Sequence, residues 1–289
     1  MDLARRSDFV PDRTLFPFES RWFDGPYGSQ HYVDEGAGEV IVLAHGNPTW
    51  SFLYRKMIPG LVSAGFRCVA PDMLGYGLSE HPPGFGFTAR EQSGALLELI
   101  RALDLRDLIL VGQDWGGPVG LGAIVQDPQR VRGVVLGSTF AWRTTGITRI
   151  IGHVLRSRFV QGWMVDGGTF VERVVRGLAQ APLTEVEVAH YRAVAADRRL
   201  RRSQSVLPRE LIDADAWLAD LERSVKDQLG KVPALLIHPE KDGALGKSAV
   251  RRFSAIFEDA NVVTLPKAGH FFQEDAPEDV VAAIRARFR

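Results

Sequence analysis

Short, nearly uninterrupted apolar runs alternate with longer amphipathic stretches along this chain, and no other feature restricts its fold as strongly. The runs EVIVLAHG (39–46), FRCVAPD (66–72), DLILVGQ (107–113) and VRGVVLGST (131–139) are apolar at consecutive positions. Strands have this composition when helices cover both faces of a sheet, and the intervening amphipathic stretches supply such helices. The alternation therefore predicts an α/β fold built on a mostly parallel sheet flanked by helices.

The sequence also predicts a hairpin, several helices and two further strands around these four strands. ESRWFDG and SQHYVDEG, separated by Pro-Tyr-Gly, predict an antiparallel hairpin near the start. TWSFLYRKMIPGLVSA (49–64) is typical of a helix, and Thr88 with Glu91 forms a capping-box pattern at the start of another. The runs at 232–242 and 261–266 predict two more strands, and 276–288 predicts a C-terminal helix.

The alternation stops between about residues 140 and 215, where no strand-like run occurs and the spacing is helical. Two strands of one sheet thus enclose a long helical insertion, which predicts a lid. We therefore expect residues 1–139 and 216–289 to form the core domain and residues 140–215 to form a helical cap. The cap aromatics Trp142, Phe159, Trp163 and Phe170 are expected to lie either in the core or around a substrate cavity.

The hexapeptide GQDWGG (112–117) follows a predicted strand and precedes a predicted helix. A small residue two positions on either side of a central side chain is the pattern of a nucleophile elbow, which presents that side chain at a helix N-terminus. The central residue here is Asp114, a carboxylate that is ionised at its ordinary pKa of about 3.9 and needs no base to activate it. The pattern favours a nucleophilic Asp over an Asp that only caps the helix.

Two other segments complete a set of catalytic residues. HGNPTW (45–50) follows a predicted strand, at the position where such folds contribute a backbone N–H to an oxyanion hole, and the residue after the nucleophile contributes the other. These residues are Asn47 and Trp115. Asp242, at the end of strand 232–242, and His270, after strand 261–266, follow in the order nucleophile, acid, histidine. His45 is expected to brace the oxyanion loop.

Composition excludes several other functions. The formal net charge is zero, which gives no electrostatic basis for binding nucleic acid or an acidic membrane. The single cysteine, Cys68, excludes an internal disulfide and a multi-cysteine metal site. No uncharged stretch approaches the roughly 18 residues that would span a bilayer, and residues 1–16 are not typical of a secretory signal. A cytoplasmic protein is expected.

The segments HGNPTW, PDMLGYGLSE, GQDWGG, KDGALG and AGHFFQEDAPE together resemble the haloalkane dehalogenases of the α/β-hydrolase superfamily. The resemblance extends over nearly the whole chain and is weakest in the cap. It implies the α/β-hydrolase fold, with an eight-stranded, mostly parallel sheet and a helical cap inserted after strand 6. It also implies a halogenated small-molecule substrate, water as co-substrate and halide as product, without a metal or organic cofactor.

The resemblance also implies a role for each site residue. Asp114 would form an ester with the substrate, and the side chains of Trp115 and Asn47 would hold the departing halide. His270, oriented by Asp242, would activate water. One branch of the family has a Glu after strand 6 as the acid, but Ser138 and Thr139 stand there in this chain, which leaves Asp242. The chain resembles the branch whose members are often oligomeric, which implies that it could form a homo-oligomer. That branch tends to carry more tryptophan after strand 6, whereas the segment TFAWRTT supplies only Trp142 nearby.

Three alternatives remain. An epoxide hydrolase shares the small-Asp-Trp-Gly pattern but uses two cap tyrosines, whereas 140–215 contains only Tyr191. The cofactor-free luciferase of the same family has the Glu type of acid. A binding protein of this fold that has lost catalysis would not need the complete set of Asp114, Asp242 and His270.

Overall fold

The computed structural model describes residues 9–289, and the first half of the N-terminal segment considered above lies outside this range. Eight strands form one sheet in the order β1-β2-β4-β3-β5-β6-β7-β8. From β4 through β8 neighbouring strands are parallel, whereas β1 with β2 and β2 with β4 are antiparallel. The predicted hairpin and the predicted mostly parallel sheet are both confirmed. The strands are β1 (Arg21–Gly25), β2 (Gly28–Glu35), β3 (Glu39–Ala44), β4 (Phe66–Pro71), β5 (Leu108–Asp114), β6 (Val131–Thr139), β7 (Ala234–Pro239) and β8 (Ala260–Leu265).

Consecutive residues of the central strands bury their side chains on opposite faces of the sheet, as the strand period of two requires. In β3, Ile41 and Leu43 belong to one buried apolar cluster, and Val42 and Ala44 belong to the other. Helices cover both faces, which explains the nearly continuous apolar runs. The helices outside the insertion are α1 (Ile58–Ser63), α2 (Ala89–Ala102), α3 (Gly116–Ile124), α10 (Asp215–Leu229), α11 (Lys247–Ser254), α12 (Phe272–Asp275) and α13 (Pro277–Phe288).

The single helix predicted over residues 49–64 is wrong. The segment forms a short 3-10 helix, Ser51–Tyr54, and then the separate helix α1. Pro59 in the first turn of α1 has no N–H to donate four residues back, so a continuous helix through this point would be broken. In contrast, the capping box at the start of α2 is confirmed, since Thr88 and Glu91 bond each other's backbone N–H groups.

Seven helices lie in the chain between β6 and β7, and no strand occurs there; α10 is the last of them, and the six before it form the insertion. Phe159 is 86% exposed at the start of α5, so the expectation that it lies in the core or around a cavity is wrong. Helix α5 packs on α8 and buries Met164, which leaves Phe159 on its outer side. The six helices are α4 (Gly146–Arg156), α5 (Arg158–Asp166), α6 (Phe170–Leu178), α7 (Glu185–Ala193), α8 (Arg198–Gln204) and α9 (Val206–Asp213).

A buried ionic cluster joins this insertion to the rest of the protein. The guanidinium of Arg55 donates to Glu274 of α12 at 2.5 and 3.0 Å and to Glu187 of α7 at 2.5 Å. Lys56 contacts the same two carboxylates, and the hydroxyl of Tyr191 donates to Glu274. A buried charge is stable only when it is paired, so these partners hold α7 in position. Among the described residues, no helix is both long and apolar enough to cross a membrane.

Candidate active site

The chain turns sharply where β5 meets α3, and Asp114 lies at the turn with φ of +50°. This left-handed conformation is strained for a residue with a side chain, and such strain occurs mainly at functional sites. The turn presses against the end of β3: a Cβ on Gly116 would lie 2.0 Å from the carbonyl oxygen of Ala44. Only glycine fits there, which explains the spacing GQDWGG. The nucleophile elbow predicted around Asp114 is present in the backbone.

The two oxygens of the Asp114 carboxylate have different surroundings. Oδ1 accepts a hydrogen bond from the backbone N–H of Asn47 at 2.7 Å, and the backbone N–H of Trp115 also donates to the carboxylate. Oδ2 faces His270, whose Nε2 lies 3.7 Å away. A Cβ on Gly46 would lie 2.4 Å from the Cβ of Asp114, so this loop approaches closely because it carries a glycine. Oδ1 is therefore held by the backbone N–H of Asn47, and Oδ2 faces the histidine.

Asp242 and His270 come together as the sequence predicts. Asp242 follows β7 and His270 follows β8, and their side chains meet with Oδ2 3.0 Å from Nδ1. The other oxygen of Asp242 accepts the backbone N–H groups of Ala244 and Leu245, both at 3.0 Å. Parallel strands end at the same sheet edge, so residues far apart in the chain converge on Asp114.

Burial and charge act together on the three titratable groups. Burial raises the pKa of Asp114, and the His270 charge and two backbone N–H groups oppose this rise. Burial would raise the pKa of Asp242, but its hydrogen bond with His270 and the charge of His270 outweigh burial and lower the pKa to about 2. Burial would lower the pKa of His270, but the hydrogen bond and charge of Asp242, with the charge of Asp114, raise it above its ordinary value. His270 is therefore a stronger base than an isolated histidine.

The side chains of Asn47 and Trp115 lie beside this set and are nearly buried. The Asn47 amide donates to the hydroxyl of Tyr76 at 2.9 Å and to the backbone carbonyl of Gln204 at 2.6 Å. Trp115 packs edge-on against Phe140, with ring centroids 5.0 Å apart. Within residues 9–289 its indole N–H makes no hydrogen bond to another residue. The tryptophan donor is thus free, whereas both amide hydrogens of Asn47 have protein partners.

Sequence reasoning missed Tyr76 and Gln204. Tyr76 belongs to the PDMLGYGLSE segment, in the loop after β4, and that loop emerges at the sheet edge that carries Asp114. Its location after a parallel strand was the available signal. Gln204 ends α8 in the insertion, and no local pattern indicates its contact with Asn47, which spans 157 positions.

Two further contacts support the site. The His45 ring lies 2.9 Å from the carbonyl of Gly46 through Nδ1, and its Nε2 accepts the backbone N–H of Met73 at 2.9 Å, so His45 braces the loop as expected. At the end of β6, where a different branch of the family that this chain resembles has a Glu, the Thr139 hydroxyl donates to the carbonyl of Asp114 at 2.6 Å. Among the described residues, Asp242 is the acid that reaches Nδ1 of His270.

The chain is similar in sequence and architecture to known proteins. The profile described as "Alpha/beta hydrolase family" matches residues 41–284. Haloalkane dehalogenase 2 of Mycobacterium tuberculosis (strain ATCC 25618 / H37Rv) is 46% identical over 283 residues, which cover 97% of this chain and 99% of that protein. A haloalkane dehalogenase from Bradyrhizobium elkani USDA94 superposes with a TM-score of 0.83 at 28% identity, over 93% of this chain and 97% of its own. A tetrameric haloalkane dehalogenase from Paraglaciecola agarilytica NO2 gives 0.77 at 25% identity, over 96% and 97%.

Proposed function

This chain belongs to the haloalkane dehalogenases of the α/β-hydrolase family, and from that premise we propose that it hydrolyses carbon–halogen bonds in halogenated aliphatic compounds through an ester of Asp114. The asymmetry of the Asp114 carboxylate carries the proposal. Oδ1 is held by the backbone N–H of Asn47, whereas Oδ2 has the nearby His270 and is the oxygen available for attack. A carboxylate arranged in this way suits nucleophilic catalysis with a histidine that acts in a later step.

In the first step Oδ2 attacks the carbon that carries the halogen. A carbon–oxygen bond forms, the carbon–halogen bond breaks, and its electron pair leaves with the halide. The indole N–H of Trp115 donates to the departing ion, because an indole is a donor with no competing acceptor. The amide of Asn47 donates a second hydrogen bond once the ion replaces one of its present partners. Donors that meet charge as it develops lower the barrier.

In the second step water hydrolyses the ester. Nε2 of His270 takes a proton from water while the water oxygen attacks Cγ of Asp114. The negative charge that develops on Oδ1 is held by the backbone N–H groups of Asn47 and Trp115. Collapse of this intermediate breaks the bond between Cγ and Oδ2, and Oδ2 leaves with the substrate carbon and takes up a proton. The products of the whole reaction are an alcohol, a halide ion and one proton. The side chains and water suffice for these steps.

Epoxide hydrolysis is less well supported. It requires hydroxyl donors from the cap to protonate the ring oxygen, and the hydroxyl of the only cap tyrosine, Tyr191, donates to Glu274 in the buried ionic cluster. The complete set of Asp114, Asp242 and His270 supports an enzyme rather than a binding protein.

The helical insertion acts as the cap of this site. The hydroxyl of Ser203 on α8 donates to the carbonyl of Gly75 at 2.8 Å, in addition to the contact of Gln204 with Asn47. Covering the site excludes bulk water, which strengthens the electrostatic interactions inside. The tetrameric relative supports a homo-oligomer, and we retain a cytoplasmic location as part of the proposal.

The test traps the ester. His270→Phe incubated with 1,2-dibromoethane should release one bromide per protein and then stop, and mass spectrometry should find the alkyl group on the peptide that contains Asp114. Asp114→Asn in the same background is the matched control and should show no adduct. In wild-type enzyme, a single turnover in ¹⁸O-water should place ¹⁸O in Asp114 and leave the first alcohol unlabelled. Continued turnover by His270→Phe, or label in the first alcohol, would contradict the mechanism.

A further inference from the structure

Tyr76 is buried against the catalytic residues, yet neither step above uses it. Its side chain is fully buried, and its ring lies 5.6 Å from that of His45, which braces the oxyanion loop. The hydroxyl oxygen accepts a hydrogen bond from the Asn47 amide at 2.9 Å. Tyr76 therefore occupies the same wall of the site as the proposed halide ligands.

The hydroxyl hydrogen of Tyr76 has no acceptor within residues 9–289. Buried hydroxyl groups normally donate as well as accept, because water can no longer satisfy them. The other buried tyrosine hydroxyls at comparable depth do donate: Tyr54 donates to the carbonyl of Ala44 at 2.8 Å, and Tyr191 donates to Glu274. Tyr76 differs from both, so its hydrogen is available to a ligand.

We propose that the Tyr76 hydroxyl is a further catalytic donor, which gives a hydrogen bond to the leaving halide beside Trp115 and Asn47. The inference rests on the proposed function. The hydroxyl accepts from Asn47 while it donates to the ion, and a chain of hydrogen bonds polarises each member in the direction that strengthens donation at its end. Asn47 thus contributes through Tyr76 even while its own amide hydrogens are held by protein partners.

The electrostatics of the site keep this donor neutral. Burial raises the pKa of Tyr76 far above its ordinary value, and the charge of Asp114 raises it further, against the hydrogen bond from Asn47. The group therefore stays a hydroxyl, which attracts an anion, and does not become a phenolate, which would repel one. A halide needs no proton to leave, so Tyr76 retains its hydrogen throughout the reaction.

The test isolates alkylation in the His270→Phe background and compares 1-chlorobutane with 1-bromobutane. Tyr76→Phe removes the hydroxyl and keeps the ring. Loss of one hydrogen bond to a developing ion should slow chloride release by about tenfold. Bromide release should slow by a smaller factor because bromide is the better leaving group, so the bromide-to-chloride rate ratio should rise. Tyr32→Phe, a tyrosine of β2 on the far side of β4, is the matched control and should leave the ratio unchanged.

A double-mutant cycle separates donation by Tyr76 from a purely structural effect on Asn47. In an Asn47→Ala background, Tyr76→Phe should still raise the bromide-to-chloride ratio if the hydroxyl meets the ion directly. An unchanged ratio in that background, or in the single variant, overturns the inference while ester formation continues. If the His270→Phe protein forms no ester with either compound, the proposed function itself fails, and the two failures are distinct.

Discussion

The change Asp242→Asn tests how the catalytic histidine is held. One oxygen of Asp242 accepts two backbone N–H groups at 3.0 Å, and the other faces Nδ1 of His270. An asparagine in this place turns its oxygen toward the backbone N–H groups and its NH₂ toward His270. Nδ1 must then accept a hydrogen bond, so the ring proton moves to Nε2. A histidine protonated at Nε2 cannot take a proton from water.

The expected loss of ester hydrolysis follows from the free energy needed to turn the asparagine amide so that its oxygen faces His270. In that orientation two buried backbone N–H groups would face the NH₂ group and lose their acceptor, which costs about 1–3 kcal/mol for each N–H. A total of about 2–6 kcal/mol corresponds to a loss of roughly 30-fold to 10⁴-fold in the competent form, at about 1.4 kcal/mol per tenfold. The corresponding substitution in a serine-protease triad, a documented example, lowers turnover about 10⁴-fold. Ester hydrolysis should fall within this range, and alkylation should change by less than about tenfold.

Single-turnover kinetics with 1-bromobutane provide the measurement. Bromide release should show a burst of one equivalent, and intact-protein mass spectrometry should show the alkyl-enzyme accumulating. Glu240→Gln makes the same chemical change at an exposed position in the same loop and should behave as wild type. Wild-type ester hydrolysis in Asp242→Asn, or a loss confined to alkylation, would refute the assignment of Asp242.

Three other changes have expected outcomes. Trp115→Phe should slow carbon–halogen cleavage by about one to two orders of magnitude, more for chloride than for bromide, in single-turnover halide release; equal effects on the two halides would argue against donation to the ion. Ester hydrolysis should fall as pH drops through the raised pKa of His270, because the base must be neutral. Its midpoint should lie below the pKa that NMR titration finds in the free enzyme, since the charge of Asp114 that helps to raise it is absent in the ester; a higher midpoint would contradict this. Arg55→Leu should lower the free energy of unfolding in urea by about 3–5 kcal/mol, because Glu274 loses its main buried partner; an unchanged midpoint would show that Lys56 suffices.

Much of this architecture was predictable because it is encoded by local patterns. Apolar runs identify buried parallel strands wherever they occur, and the glycines around Asp114 identify a turn that nothing larger can occupy. The order of Asp114, Asp242 and His270 then indicates a triad, since the carboxyl ends of parallel strands share one edge. The prediction of a single helix over residues 49–64 was wrong because Pro59 interrupts an otherwise helical composition.

Contacts between distant segments were not predictable in the same way. The Asn47 amide meets Tyr76 across 29 positions and Gln204 across 157, and neither distance leaves a periodic trace in the chain. Tyr191 is another example, because only the fold shows that its hydroxyl is taken by Glu274. The free or occupied state of each donor therefore had to come from the structure.

The bond between Asn47 and the last carbonyl of α8 links two equilibria that are usually treated separately. An anion that takes this amide hydrogen must displace Gln204, and α8 must lose that anchor to the core. Halide binding and attachment of α8 then compete for the same amide hydrogen of Asn47. Thermodynamic linkage requires that halide binding weakens the attachment of α8 by the same factor by which that attachment weakens halide binding. Substitutions at the α8–α9 junction, which never meet the ion, would thereby set how strongly accumulated halide inhibits the enzyme.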